Sequence, residues 1–419
     1  MLLQFSVENY KSIKEKAYLS LIPSTNKEHP NNIASIGKYS ALKSAAIYGA
    51  NASGKTNLIE AMATAALIIA TSETRPVAAE IPHIRPFKFD ENTVDKPSSF
   101  EFIFIADDNI KYVYGFSADR NKVHEEYLYY YLSSTASTIF ERTDNQIDYP
   151  QKEKHALDPL KERNTPNKLF ISTATTWNYK KTYIPYMWLI RSLSVLSDFH
   201  PLLPISLNRL ADDQDGSLKK FTINLLHHAD INIDDYEIDA IDQKDEPNAF
   251  LLTSLLKNAL PNAQVTPSKT FRVTTAHKVS NIKYQLNLSE ESKGTRQLFT
   301  LSPFLKEVFE HGKTLVVDEL DASLHSFLVQ YLVDLFHDPE INSKNAQLVF
   351  STHDTNLLSL DTFRRDQIYF VEKNIETAES SVYSLDEFSV RKVENIERGY
   401  LLGRYGAIPF LQTGGNLWE

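Results

Sequence analysis

A run of eight residues, Gly49-Ala-Asn-Ala-Ser-Gly-Lys-Thr56, limits what this chain can fold into more than any other stretch. It satisfies G-x-x-x-x-G-K-[ST], the pattern of a loop that curls around phosphate, and that loop requires a strand before it and a helix after it. Both are legible: Ala45-Ala-Ile-Tyr48 reads as a strand, and residues 57–69 show the apolar periodicity of a helix. Gly49 and Gly54 permit the tight curl that turns successive backbone N–H groups toward one centre. The helix opening near Lys55 adds the positive end of its dipole and its unpaired first-turn amides. Asn51, Ser53 and Asn57 fall inside or beside the curl, Lys55 is placed to reach the terminal phosphates, and the Thr56 hydroxyl to take one position on Mg2+. Glycine is scarce, at 12 of 419 residues. A chance match is therefore rarer than about one or two per hundred chains of this size.

The length points to two or three structural units, and at 42% hydrophobic residues a sizeable core is no difficulty. With no cysteine, a disulfide framework, thiol catalysis and thiolate metal sites are excluded, which fits a reducing, cytoplasmic setting. The N-terminus lacks a basic segment followed by an apolar one, and no run has the length to cross a bilayer, so a soluble protein without membrane contact is expected. A net charge of −10 argues against a surface that attracts polyanions everywhere, though a local basic groove is compatible with it.

Along the chain, Leu2 to Glu8 alternates like a strand, and residues 23–43 read as a connection. Residues 99–105, 111–117 and 125–132 are β-rich runs separated by Asp107-Asp-Asn109 and Asp119-Arg-Asn121, so an antiparallel meander is expected, with residues 139–142 as a fourth strand. From about 150 to 265 helical periodicities dominate, at 185–193, 217–228 and 249–260. The acidic stretch Ala211-Asp-Asp-Gln-Asp-Gly216 reads as a solvated loop between them. Strand character returns at 270–275 and 282–288, and helix and strand then alternate through 314–317, 347–350 and 367–371, the signature of a parallel sheet covered by helices.

Thr314-Leu-Val-Val-Asp-Glu319 is an apolar strand ending in two carboxylates. At the end of a parallel strand, Asp318 can hold Mg2+ beside Thr56, and Glu319 can polarise an attacking water. Ser292-Lys-Gly-Thr295 opens a helix, with Gly294 allowing close backbone approach, and offers either a second phosphate-binding end or an ordinary helix cap. Leu320-Asp-Ala-Ser-Leu-His325 follows Glu319, and Ser351-Thr-His-Asp354 follows the strand at 347–350. His353 is placed to donate to a γ-phosphate or orient water, whereas His325 reads as a structural residue.

The order of phosphate loop, long insertion, S-x-G-T helix, apolar-Asp-Glu strand, Asp-Ala-Ser-Leu-His turn and Ser-Thr-His-Asp resembles the ATPase heads of the ABC/SMC class. More narrowly, the chain resembles the AAA-type ATP-binding proteins of phage-defence and abortive-infection loci, the RloA/AbiL-like group. Asn9-Tyr-Lys-Ser12, Pro86-Phe-Lys-Phe-Asp90, Phe370-Val-Glu-Lys373 and Gly399-Tyr-Leu-Leu-Gly-Arg-Tyr-Gly-Ala-Ile-Pro409 support this, over residues 1–142 and about 285–411. The resemblance implies an α/β P-loop NTPase fold with a mixed central sheet, an antiparallel β subdomain and a mainly helical insertion. Residues 1–145 would form the N-terminal part of the head, 146–265 the insertion, 266–390 the C-terminal part and 391–419 an extension. It also implies that residues 49–56 are the Walker A loop, Asp318 the Walker B aspartate and Glu319 the catalytic base. Ser292, Gly294 and Thr295 would be the signature motif, Asp321 the D-loop and His353 the switch histidine. Lys293 stands where the signature has a second glycine, and no glutamine contact between loop helix and insertion is identifiable.

The function expected from this resemblance is an ATP-hydrolysing switch with Mg2+. It would act as a homodimer or higher homo-oligomer and control a separately encoded effector such as an RloB-like nuclease in antiviral defence. A DNA repair or recombination ATPase that grips nucleic acid is the main alternative, with a non-hydrolysing nucleotide-binding scaffold behind it. Trp177-Asn-Tyr-Lys-Lys-Thr-Tyr183 could stack on nucleic acid, but reads more simply as a helix that buries its aromatics and turns its lysines to water. His227-His228 has no partner at metal-ligand spacing. The tail from Gly399 to Gly415 reads as a docking segment or as turns over a sheet edge.

Overall fold

The computed structural model describes residues 1–197, 202–241, 270–390 and 394–409. Its strands begin with β1 (Leu2–Glu8), β2 (Ala17–Ser20), β3 (Ile33–Ile36), β4 (Tyr39–Leu42) and β5 (Ser44–Tyr48), and helix α1 (Lys55–Thr71) follows. Next come β6 (Ser98–Ile105), β7 (Lys111–Ala118), β8 (Val123–Tyr131), β9 (Ser137–Thr143), β10 (Gln146–Asp148) and β11 (Leu193–Leu196). The remainder are β12 (Asp235–Ile241), β13 (Thr270–Val279), β14 (Ile282–Asn287), β15 (Thr314–Val317), β16 (Gln347–Ser351), β17 (Ile368–Lys373) and β18 (Ser380–Ser384). Among the described residues the chain forms two compact units, one from Met1–Ser197, His311–Ala322 and Leu332–Glu419, the other from Asp198–Glu310 and Ser323–Tyr331.

Two large sheets build the first unit. One has the order β10-β9-β8-β7-β6-β1-β2 and is antiparallel throughout, so the expected meander is present and gains β1 and β2 at one side. In β6, Phe100, Phe102 and Phe104 point inward while Ser99, Glu101 and Ile103 are only partly covered, the alternation of a half-buried strand. The other has the order β11-β15-β16-β5-β17-β18, parallel from β11 to β17 with β18 antiparallel at the edge. Its central strands β5, β15 and β16 are buried at every residue, as a sheet covered on both faces demands. Helix α1 packs against β1, β6 and β11. Leu58, Ile59, Met62, Ala65, Ile68 and Ile69 are all buried in the shared core, which explains a helix that is apolar on more than one face.

Glu126 is fully buried on β8 and accepts from the Phe170 and Ile171 amides at 2.6 and 2.9 Å and from the Tyr114 hydroxyl at 3.1 Å. Arg142 lies 3.7 Å away, and burial pushes the Glu126 carboxyl above its ordinary pKa against the pull of that cation. The carboxylate thereby ties the meander to the helix Phe170–Thr176. Removing one partner of such a pair would cost about 3–5 kcal/mol.

The second unit carries the helices Leu202–Ala211 and Ser217–His228, the antiparallel sheet β12-β13-β14 and most of the helix Lys293–His311. Tyr236 packs edge-on against Phe299 at 5.0 Å, and Thr222 and Ser302 share a hydrogen bond of 2.8 Å. The acidic loop before Ser217 also caps its helix, since Asp213 accepts from the Leu218 and Lys219 amides.

Two sequence expectations change here. Helices occupy much of the stretch after residue 150, but β11 and β12 lie among them. Leu193-Ser-Val-Leu196 is too short an apolar run for periodicity to separate strand from helix. The aromatics of the 177–183 stretch are not buried as a set: Trp177 is 48% and Tyr183 54% exposed, because the helix ends at Thr176 and a new one starts at Lys180. The helix expected at 249–260 and the last ten residues of the tail lie outside the described residues.

Candidate functional site

The phosphate loop leaves β5 at Tyr48, and α1 opens directly after Gly54. Gly54 has φ +113, and a Cβ there would stand 2.4 Å from Ser380 Oγ and 2.8 Å from Ser12 Oγ. A Cβ on Gly49 would stand 2.4 Å from the Val371 carbonyl oxygen of β17. Gly49 is therefore demanded by the close approach of the β17 backbone, and Gly54 by its φ and by two crowding serine side chains. The Lys55 side chain folds into the curl and donates to the carbonyls of Gly49 (2.7 Å) and Ala50 (3.1 Å). Burial lowers its pKa, while the negative field of Asp318, Glu319 and Asp321 opposes that shift. Ser53 Oγ is buried without a hydrogen-bond partner, whereas Asn51 and Thr56 are exposed at the mouth. The Asn57 amide donates to Ser12 Oγ at 2.6 Å. Ser380 in turn donates to the Ser53 carbonyl and accepts from the Ser12 hydroxyl, so two serines from distant segments brace the back of the loop.

Sheet order brings the acids to this loop. Because β15, β16 and β5 are parallel and in register, their C-terminal ends share one edge, and β15 lies two strand spacings, about 9–10 Å, from β5. Asp318 is buried just past β15, with Ser351 Oγ of β16 donating to its Oδ1. The same Oγ accepts the Glu319 amide at 2.7 Å. Glu319 sits at φ 50, in the left-handed region, which leaves its side chain 57% exposed and 3.7 Å from His353 Nε2. Left-handed backbone at a residue other than glycine costs of order 1–3 kcal/mol and concentrates at functional sites. Asp321 Oδ2 accepts the His353 amide at 3.0 Å, which fixes the segment after β16 to the turn after β15.

Thus Gly49, Asn51, Ser53, Gly54, Lys55, Thr56 and Asn57 share the first unit with Asp318, Glu319, Asp321 and His353. Ser292, Gly294 and Thr295 belong to the second unit. There Ser292 Oγ caps the helix Lys293–His311 by accepting the Thr295 amide at 3.1 Å, and a Cβ on Gly294 would stand 2.8 Å from the Ser323 carbonyl oxygen. His325 Nδ1 accepts the Phe327 amide at 3.3 Å, a local cap in keeping with a structural role. Sequence reasoning gave no role to Ser351, Ser12, Ser380 or Tyr48. Ser351 could have been found as the first polar residue after a strand that must lie beside the acid strand.

Residues 44–359 match the model of the family described as "AAA domain, putative AbiEii toxin, Type IV TA system". The chain belongs to this AAA domain family. No curated protein matches. Among solved structures, the chain is similar to an Smc head bound to the C-winged helix domain of ScpA (12% identity, 91% of this chain and 97% of that one, TM-score 0.43). It is also similar to the SMC head domain from Thermotoga maritima (14%, 91% and 98%, TM-score 0.42) and to the recombination mediator RecF with ATP (15%, 92% and 99%, TM-score 0.39). The fold of this AAA domain protein is that of a P-loop NTPase, with the mixed sheet and the antiparallel subdomain described above.

The donor set suits a triphosphate with a hard divalent cation. The loop holds an unpartnered Ser53 hydroxyl and the Lys55 ammonium, and the first amides of α1 open directly after it. Among the described residues no cluster of three His, Asp or Glu side chains could hold a metal unaided. Thr56 and Asp318 offer oxygen donors of the kind Mg2+ prefers, and could hold it together with oxygens of a bound phosphate.

Proposed function

We propose that this AAA domain protein is an ATP-hydrolysing switch, and the observation that carries the proposal is the shared Ser351 bridge. One hydroxyl holds both Asp318 and the Glu319 backbone at the strand edge beside the Lys55 loop. In this reading the loop amides and Lys55 bind the β- and γ-phosphates, with Ser53 and Asn51 completing the wall. Glu319 accepts a proton from water as the water oxygen attacks the γ-phosphorus, and the bond to the β–γ bridging oxygen breaks to release ADP. His353, 3.7 Å from Glu319, orients that water or donates to the γ-phosphate. Mg2+, when bound at Thr56 and Asp318, would neutralise charge developing on the phosphates.

Ser292, Gly294 and Thr295 supply, in this proposal, a second phosphate-binding end, addressed to the nucleotide of another copy, so that ATP closes a homodimer. The stretch 146–265 is assigned to sensing or docking, and the cytoplasmic output is control of a separately encoded effector in antiviral defence, in keeping with the RloA/AbiL-like resemblance. Glu319→Gln tests the scheme: with Mg2+ and ATP it should form dimers that persist on size-exclusion chromatography with light scattering, whereas wild type cycles back to monomer as phosphate is released. Absence of ATP binding by the wild type, or turnover equal in both proteins, would sink it.

A second reading, a nucleic-acid-gripping ATPase, has one observation in its favour. Trp177 is exposed with the Arg163 guanidinium 3.7 Å over one ring face, beside exposed Lys180 and Lys181, a combination suited to base stacking. Oligonucleotide binding that weakens steeply with salt and is lost in Trp177→Ala would move the assignment to it.

A further inference from the structure

Glu291 stands one residue before Ser292, and its side chain is only 9% exposed although Ser292 and Lys293 after it are open to solvent. A covered carboxylate is tolerated where donors reach it. Both donors come from β13, the Thr275 hydroxyl at 2.5 Å and His277 Nε2 at 2.7 Å, and both meet the same oxygen, Oε1. An ionised carboxylate only accepts, so Nε2 carries the proton. β13 is the central strand of its sheet, with Tyr236 of β12 and Leu286 of β14 on either side of Thr275. Thr275 is also fully buried, which makes this donor a fixed point.

The residues around Glu291 are fastened as well. Before it, the Glu290 carboxylate accepts the Asn287 amide at 2.8 Å and closes the short turn Leu288–Glu290. After it, Ser292 Oγ caps the next helix, and the backbone at Gly294 lies so near the Ser323 carbonyl that no Cβ fits between them. The sheet grips the helix Lys293–His311 a second time, where Tyr236 of β12 meets Phe299. Sheet and helix thus share two attachments, one ahead of the helix at Glu291 and one in its second turn.

We propose that Glu291 is a positioning residue for the Ser292–Thr295 turn, and that Thr275 and His277 make the three-stranded sheet the lever by which the inserted stretch sets that turn. β12 belongs to that stretch, so a partner bound to it shifts Ser292 through one carboxylate. The effect on dimers rests on the proposed function, in which Ser292, Gly294 and Thr295 address the nucleotide of another copy; the effect on the turn itself does not. In the full chain, Thr275→Val removes one donor and keeps its shape, and His277→Ala removes the other. Amide hydrogen exchange read by mass spectrometry in peptides covering 290–297 should accelerate about tenfold in each, the effect of one hydrogen bond to a charged group. Glu291→Ala should do at least as much, and adding Thr275→Val to it should change nothing further, because the two share one contact. In a Glu319→Gln background, Glu291→Ala should raise about tenfold the protein concentration at which ATP dimers half-form, while a fluorescent ATP analogue binds the dilute monomer within twofold of its former affinity. Glu291→Gln keeps an acceptor oxygen in place and should recover much of the loss. Unchanged exchange at 290–297 in Thr275→Val, His277→Ala and Glu291→Ala overturns the proposal, and so does monomer binding that falls in step with dimer formation. A Glu319→Gln protein that forms no ATP dimer overturns the dimer reading and leaves the exchange result to decide this one.

Discussion

Replacing Ser351 with alanine removes one oxygen and two hydrogen bonds. The side chain is fully buried, donates to Asp318 Oδ1 and accepts the Glu319 amide at 2.7 Å. A hydrogen bond to a charged group contributes about 1.5–3 kcal/mol and one between neutral groups about 0.5–1.5. Asp318 and the Glu319 N–H would both lose their donor or acceptor where water has little access, so a total loss of about 2–4 kcal/mol is expected. Against a whole-protein stability of about 5–15 kcal/mol, that is a large fraction. In urea unfolding of the full chain, followed by circular dichroism, it should move the midpoint down by roughly 1 M with the slope unchanged. Ser351→Thr, which keeps the hydroxyl, should recover most of the loss. ATP turnover should fall in the alanine variant more than nucleotide affinity does, because under the proposed function the residues it releases act at the γ-phosphate and those of the loop hold the nucleotide. A midpoint within about 0.2 M of wild type, with normal turnover, would refute the bridge as the organiser of the acid pair.

Gly54→Ala asks a Cβ to fit at φ +113 against Ser380 and Ser12. It should cost about 1–3 kcal/mol and lower affinity for a fluorescent ATP analogue at least tenfold, and retained affinity would contradict the account of the loop. Burial pushes the His337 imidazole down to about 3, while the unfolded chain titrates it near 6.5. The unfolded state therefore binds the proton first, and stability should drop as pH falls from about 6.5 toward 3, by up to about 1.4 kcal/mol per unit from this group. His337→Gln should make that acid limb shallower in chemical denaturation, and parallel limbs would count against it. Chelating divalent metal should weaken ATP binding in wild type but change it much less in Thr56→Ala, as read by calorimetric titration. Equal sensitivity would remove Thr56 from the metal site.

The phosphate loop, the acid strand and the alternating β-meander were legible because each is local: fixed spacing, an apolar run with polar ends, and period-two patterning. Their convergence was legible only through the rule that parallel strands of one sheet end on one edge, which put Asp318 beside the loop without saying what lay between. Ser351, Ser12 and Ser380 were not legible, since their importance comes from pairs 32 to 368 residues apart in the chain, and a serine in a turn or at a strand end looks the same whether or not it braces a distant segment. Trp177 was misjudged because aromatics normally go inside. Two helix ends meet around it, and the guanidinium of Arg163 covers one face in place of a core.

The placement of β5 has a consequence for how the protein is made. All five of its residues are buried, and its two neighbours are β16 and β17. Roughly 300 residues must leave the ribosome after Tyr48 before either neighbour exists, which at ~5–20 residues per second is about 15–60 s. For that time an apolar strand with two open edges waits in a growing chain, where a chaperone or a neighbouring nascent chain competes for it. Truncations ending before residue 347 should accordingly aggregate, however intact their phosphate-loop sequence.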